Sequence, residues 1–348
     1  MRLSARTAGL LLAATAGLLM SAPPAPSAAA TGAPALTLAA TGDTILGNTP
    51  QVPGDPTGYL SPVRAALGNA QVVFGNLEGT LTTASGGKCA GSNGGNCYAF
   101  RNPPAFSRAY AATGFTVLNT ANNHSHDYGQ AGLRDTLSAI GSAGMTYSGQ
   151  PGQVDYVNAG RVRVAVVAFA PYSSSNNLLD LPTAQRLIRQ AHSQAPVVIV
   201  YMHAGAEGAN ASHVNGREEY YAGEDRGNAR AFAHMAIDNG AAAVIASGPH
   251  VLRGVELYRG HPVAYSLGNF ASYGNFDTSG ALARSAVLRL GLTSSGGFVS
   301  GRLISVQLDR GGRATVGGDS VAFVDRLSAQ DFGSAAPRFA RDGSFTAR

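Results

Sequence analysis

Five short segments of this 348-residue chain each end an apolar run with small residues and a polar group able to bind a metal. They read LAATGD (residues 38–43), VVFGNLE (72–78), VLNTANNHSHD (117–127), VIVYMHAGAE (198–207) and AVIASGPH (243–250). Runs of this kind suit buried strands, and ligands of open α/β sheets bind beyond the carboxyl ends of strands. Asp43, Glu78, Asn123, His203 and His250 are therefore expected to converge in one crevice as metal ligands. A mixed oxygen and imidazole set suits a divalent ion such as Mn, Fe or Zn better than calcium, for which imidazole is a poor ligand.

Three further residues are expected to do chemistry beside the metal. An imidazole exchanges protons near neutral pH, so His124 is the expected general acid toward an anionic leaving group. Asp127, three residues on, would orient it or else cap the helix that begins near Gly129, and one carboxylate does not easily do both. Glu207, four residues past His203, would fix the tautomer of that histidine or bind substrate. Plainer readings exist for the same residues: a turn at Asp43, a solvated loop at Glu78, a buried histidine with a backbone partner at His203. A run of two asparagines, two histidines and an aspartate within residues 122–127 is harder to account for as a loop alone. His126 reads as structural or solvated, His192, His234 and His261 as packing residues, and His213 stays open.

The elements that must position these groups alternate. Strands are expected at Leu36–Ala40, Val72–Phe74, Thr116–Leu118, Val162–Phe169, Val197–Tyr201 and Ala243–Ala246. Helices are expected near Gly129–Ala143, Pro182–Ala195 and Gly227–Asn239, with Gly144 and Gly240 as stop signals. This alternation implies α/β layering with buried central strands. From Val255 the pattern turns to short strands (Val263–Ser266, Ala286–Leu292, Leu303–Leu308), an expected antiparallel extension. No repeat or linker divides the chain, so residues 31–325 read as one domain and 326–348 as a loose tail.

Composition sets the class. With 45% hydrophobic and 13% charged residues, the chain can bury a sizeable core and is not disordered. Arg2 and Arg6 precede an apolar run from Ala8 to Met20 and a Pro/Ala-rich stretch ending in Ala28–Ala30. That is the pattern of a secretory signal, cleaved near Ala30 to give a secreted or cell-surface protein. Its removal takes away two arginines and no acid from a net charge of +5. No Lys/Arg cluster points to nucleic acid, while the mildly basic balance allows attraction to anionic polymers. Cys89 and Cys97 bracket a Gly/Ser/Asn loop; export favours a disulfide between them, since two cysteines without nearby histidines make a poor zinc site.

The ordered segments Gly42-Asp43, GNLE (75–78), ANNHSHDYG (121–129), H-x-G-x-E (203–207), PHV-x-x-x-x-E (249–256) and YSLGNF (265–270) resemble the CapA-type family of poly-γ-glutamate capsule biosynthesis. The resemblance spans roughly residues 36–275. It implies a four-layer α/β/β/α sandwich of the calcineurin-like metallophosphoesterase type, with a β-rich C-terminal part. It also implies metal-ligand roles for Asp43, Glu78, Asn123, His203 and His250, and leaving-group protonation by His124. The chain departs from the metallophosphoesterase pattern at three places. Ile45 stands where a histidine usually follows the first aspartate, Asn76 or Glu78 where a bridging aspartate is usual, and Ser247-Gly248-Pro249-His250 where a G-H-x-H is usual. One ion, or two weakly held, is the expectation.

Two function classes follow. The first is a metal-dependent hydrolase in cell-envelope or capsule biosynthesis, acting on a phosphoester or an anionic envelope polymer beside a membrane-bound polymer-synthesis complex. The second is a non-catalytic factor that binds a polyanion in the same cleft. A serine esterase lacks its G-x-S-x-G here.

Overall fold

A computed structural model of the chain describes residues 33–92 and 97–346. The expected leader, residues 1–30, lies outside the described residues. No described helix is long and apolar enough to cross a membrane.

Two sheets lie face to face. Along its main path the first runs Ala314–Val316, Phe298–Leu308, Arg284–Leu292, Leu36–Thr44, Val72–Leu77, Val117–Asn119 and Thr146–Ser148. The last four of these strands are mutually parallel, and the strands before them are antiparallel. The second sheet runs Val255–Tyr258, His261–Ala264, Ala243–Ser247, Val197–His203, Val162–Phe169 and Asp155–Ala159, parallel in its centre and antiparallel at both edges.

Side-chain alternation builds the layers. In Val197–His203, Val197, Ile199 and Tyr201 point between the sheets, where they meet Leu38, Phe74, Val117 and Ile245. Val198, Val200 and Met202 point outward, onto Ile188 and Phe232 of the helices Leu181–Gln194 and Ala229–Asp238. On the far side, Ala39, Val73 and Leu118 pack beneath Leu60, Tyr110 and Ile140 of the short helices after residue 55 and of Ser107–Thr113 and Gly129–Ser142. The result is the expected four-layer α/β/β/α sandwich, with an apolar middle and strands buried on both faces.

Two expectations change. His261–Ala264 is not purely antiparallel: a tight turn at Arg259–Gly260, both with positive φ, folds it back on Val255–Tyr258 and sets it parallel to Ala243–Ser247. The C-terminal segment is not a loose tail. Residues Ser320–Phe332 form a helix that buries Val324, Leu327 and Phe332, and Ser344–Phe345 pairs with Phe298–Leu308, placing the Phe345 ring in the core between the sheets. Cys89 and Cys97 are joined as a disulfide.

Candidate metal centre

The site is where the layer between the sheets turns polar. Val72, Phe74, Asn76 and Glu78 share one parity, as do Val117 and Asn119, Val197 to His203, and Ala243 to Ser247. Each series begins in the apolar middle and ends, at the carboxyl end of its strand, in a polar side chain turned the same way. Asp43 would have the wrong parity relative to Leu38 and Ala40. A bulge corrects it: Ala40 pairs with Phe74 but Asp43 with Asn76, so the first strand carries one extra residue there and re-aims the carboxylate.

Asp43, Glu78 and His203 are fully buried, and one donor atom from each lies within 4.8 Å of the others. His203 Nε2 is 3.7 Å from Glu78 Oε1, and His124 Nε2 is 4.0 Å from the same oxygen. His250 enters from the other side, with Nδ1 3.1 Å from Asp43 Oδ2. It holds this position with φ +60°, a left-handed backbone that a side chain adopts only where surroundings enforce it. Asn123 is half-buried, and Lys88 Nζ donates to its carbonyl at 3.1 Å.

Asn76 ties the centre together. Its amide nitrogen donates to Asp43 Oδ1 at 2.7 Å and to Glu78 Oε2, while its oxygen accepts from Asn119 and Asn122. Ser247 Oγ also donates to Asp43 Oδ1. The asparagine pair of the sequence thus divides: Asn122 braces the loop, donating to Leu77 O at 2.8 Å and accepting from His124 N, and Asn123 is left with a buried Oδ1 that has no hydrogen-bond partner among the described residues.

Buried atoms without a partner test the fit to a cation. Glu78 Oε1, Asn123 Oδ1 and both ring nitrogens of His203 are buried without hydrogen bonds among the described residues. Such groups cost about 1–3 kcal/mol each unless something else satisfies them. Burial holds His203 well below its usual range, in the neutral form that carries a lone pair. Burial and then the Asp43 charge push Glu78 well above the carboxylate range, and a buried dication is the counter-charge that would restore its ionised form. A divalent ion therefore fits Glu78 and His203 with Asp43, and Asn123 offers a further oxygen.

His124 and Asp127 lie beside it. His124 Nδ1 is 2.8 Å from Asp127 Oδ2, and Asp127 also accepts from Phe100 N at 2.6 Å and pairs with Lys88 Nζ at 2.7 Å. The helix Gly129–Ser142 has Tyr128 at its cap and no side-chain cap bond, so Asp127 orients His124 and does not cap. Glu207 differs from one expectation. It bonds Arg226 at 2.8 Å and lies 3.6 Å from His250 Nε2, leaving His203 untouched, because Gly205 at φ +98° turns the chain aside. It lines the mouth of the site.

Sequence reasoning assigned no chemistry to YSLGNF, and here the fold is informative. Asn269 Oδ1 sits 3.0 Å from His250 Nδ1, and Tyr265 donates to Glu256 at 2.6 Å. Glu256 in turn bonds Arg230 and His234, so the glutamate of the PHV-x-x-x-x-E segment anchors scaffold. His126 is half-buried beside Ser125, His261 bonds Ala242 O, and His213 ties to Asp331, outside the site.

The family described as "Bacterial capsule synthesis protein PGA_cap" matches residues 37–273, more than half of the chain. Over 173 residues the chain is 32% identical to the PGA biosynthesis protein CapA of Bacillus subtilis (strain 168), covering 45% of this chain and 42% of that protein. Over 183 residues it is 31% identical to the capsule biosynthesis protein CapA of Bacillus anthracis, covering 47% and 41%. It thus spans less than half the length of these relatives. Among solved structures, a 5'-nucleotidase precursor from Thermus thermophilus aligns with a TM-score of 0.42 at 13% identity, over 81% of this chain and 54% of that one.

Proposed function

This chain belongs to the bacterial capsule synthesis protein family, and from that membership we propose that it is an exported, metal-dependent hydrolase of phosphoesters in cell-envelope or capsule polymer synthesis. It would work at the cell surface after cleavage near Ala30, beside a membrane-bound synthesis complex. One observation carries the reading: buried, unpartnered donor atoms of Glu78 and His203 stand beside Asp43, with the His124–Asp127 pair next to them.

Asp43, Glu78 and His203 would hold the ion, with Asn123 as a further oxygen donor and Mn, Fe or Zn as candidates. A bound divalent ion polarises a phosphoryl oxygen and lowers the pKa of water. Asp127 keeps His124 Nδ1 as the donor to its carboxylate, which leaves Nε2 facing the site as the atom that exchanges a proton. Burial lowers His124, an effect that Asp127 opposes, so the free imidazole is mainly neutral and a dianionic substrate at Nε2 is what would raise it. His250, the remaining expected ligand, has Nδ1 held by Asp43 and Asn269, and in the metal-free protein the neighbouring carboxylates keep it charged.

A second reading, a polyanion-binding factor without catalysis, draws on two features. Ile45 is fully buried and offers no ligand, and both oxygens of Asp43 already face protein donors. Elemental analysis of the mature protein beside an Asp43→Ala/His203→Ala variant, with phosphoester turnover before and after chelation, separates the two. Metal lost in the variant with chelator-sensitive turnover supports the hydrolase; bound metal without turnover sinks it.

A further inference from the structure

The centre opens to solvent through a cavity of about 280 Å³ whose walls are aromatic. Phe100 packs on His124 with ring centroids 4.6 Å apart, Phe276 on His250 at 4.9 Å, and the two phenylalanines meet edge-on at 6.1 Å. Tyr98 and Tyr221 line the same cavity farther out, 59% and 42% exposed. Its polar lining is His124, Glu207, His250 and Asp277 with Asn269 and Asn275, and among the described residues no lysine or arginine lines it.

That chemistry is selective. Arg226 and His250 face Glu207, but an anionic chain drawn through the mouth would still pass Asp277, which no salt bridge among the described residues compensates, a like-charge arrangement that disfavours it. Exposed aromatic faces beside carboxylate and amide acceptors instead complement a ring with an apolar C–H face and outward hydroxyl donors. Arg226 neutralises one oxygen of Glu207 from behind the wall, which lowers the attraction for an ammonium group and leaves an acceptor for a hydroxyl.

Resting on the hydrolase reading above, we propose that this mouth is a sugar subsite: the group joined to the scissile phosphoester is an uncharged, hydroxylated ring, not a carboxylate-bearing segment. Tyr98 and Tyr221 set that preference without touching the reacting atoms.

The test uses the mature protein and a Tyr98→Ala/Tyr221→Ala variant, both side chains being exposed enough to remove without loss of core. Turnover of glucose 6-phosphate and of phosphoglycolate is measured alongside calorimetric binding of methyl glucoside and of choline. Expected are a preference for the hexose ester, and in the variant a KM for it raised about 3–10-fold at unchanged kcat, with phosphoglycolate unaffected and glucoside binding weakened to match. Equal effects on both esters, or tighter binding of choline than of glucoside, overturn the subsite. If neither ester turns over, the hydrolase reading fails, and glucoside binding with its loss in the variant still decides the subsite.

Discussion

At the scale of single residues, the site couples two pairs with different tasks. In the His124–Asp127 pair, the 2.8 Å contact fixes which ring nitrogen faces the metal side. Replacing His124 with Ala should lower turnover about 10²–10⁴-fold, the usual share of a positioned acid or base. Asp127→Asn should lower it less, and bound metal measured on the same samples should stay unchanged in both. Loss of metal would recast His124 as a ligand. The Asp43–His250 pair ties the stability of the metal-free protein to pH. Burial alone would raise Asp43 and lower His250, yet their mutual hydrogen bond and charge prevail, with Asp43 at about 2 and His250 at about 9. A raised histidine contributes fully below its ordinary 6.5 and is lost as pH climbs through about 9. A lowered aspartate contributes above its ordinary 3.8 and is lost as pH falls through about 2. The pair is therefore fully effective between about pH 4 and 6.5. Denaturant midpoints taken in chelator should fall from pH 6.5 to 9 in the native chain, and the fall should shrink in His250→Gln.

At the scale of elements, the bulge in Leu36–Thr44 and the segment YSLGNF act as one device. Asp43 N donates to Gly268 O at 2.9 Å, and a side chain at Gly42 would bring its Cβ to 1.8 Å from that same oxygen. Contact that close cannot be relieved by a rotamer, because the obstructing atom is backbone. Gly42→Ala should therefore cost about 2 kcal/mol or more and weaken metal binding along with stability, while Gly54→Ala, with open space around it, should change neither. Chemical denaturation of both variants is the check, and a harmless Gly42→Ala would mean the two strands do not meet as described. The pairing also explains why GD and LGN, more than 220 positions apart, belong to the same signature: the aspartate of the first is aimed through the bulge, and its glycine leaves room for the carbonyl of Gly268 in the second.

At the scale of the whole molecule, the C-terminal strand closes the first sheet. Phe345 is 3% exposed and packs against Phe298 and Phe339, so Phe345→Ala should cost about 3–5 kcal/mol, readable as a lowered unfolding midpoint. A loose tail would show no change. Much of this fold was legible in the sequence. The apolar runs of the central strands, the helix stops at Gly144 and Gly240, and the polar ends of five strands all follow from local patterning, which hydrophobic burial and side-chain alternation turn directly into layers. So did the meeting of Asp43, Glu78 and His203, since parallel strands of a layered sheet end on the same side. Other features depend on contacts between distant segments and leave no local trace: the bulge that turns Asp43 inward, Asn76 as the link between carboxylates, Glu207 drawn to Arg226 and away from His203, and Phe345 seated in the core. Sequence by itself determined which groups reach the end of the sandwich. Only the tertiary structure decided which of them face one another, because that depends on register, and a shift of one residue exchanges the two faces of a strand.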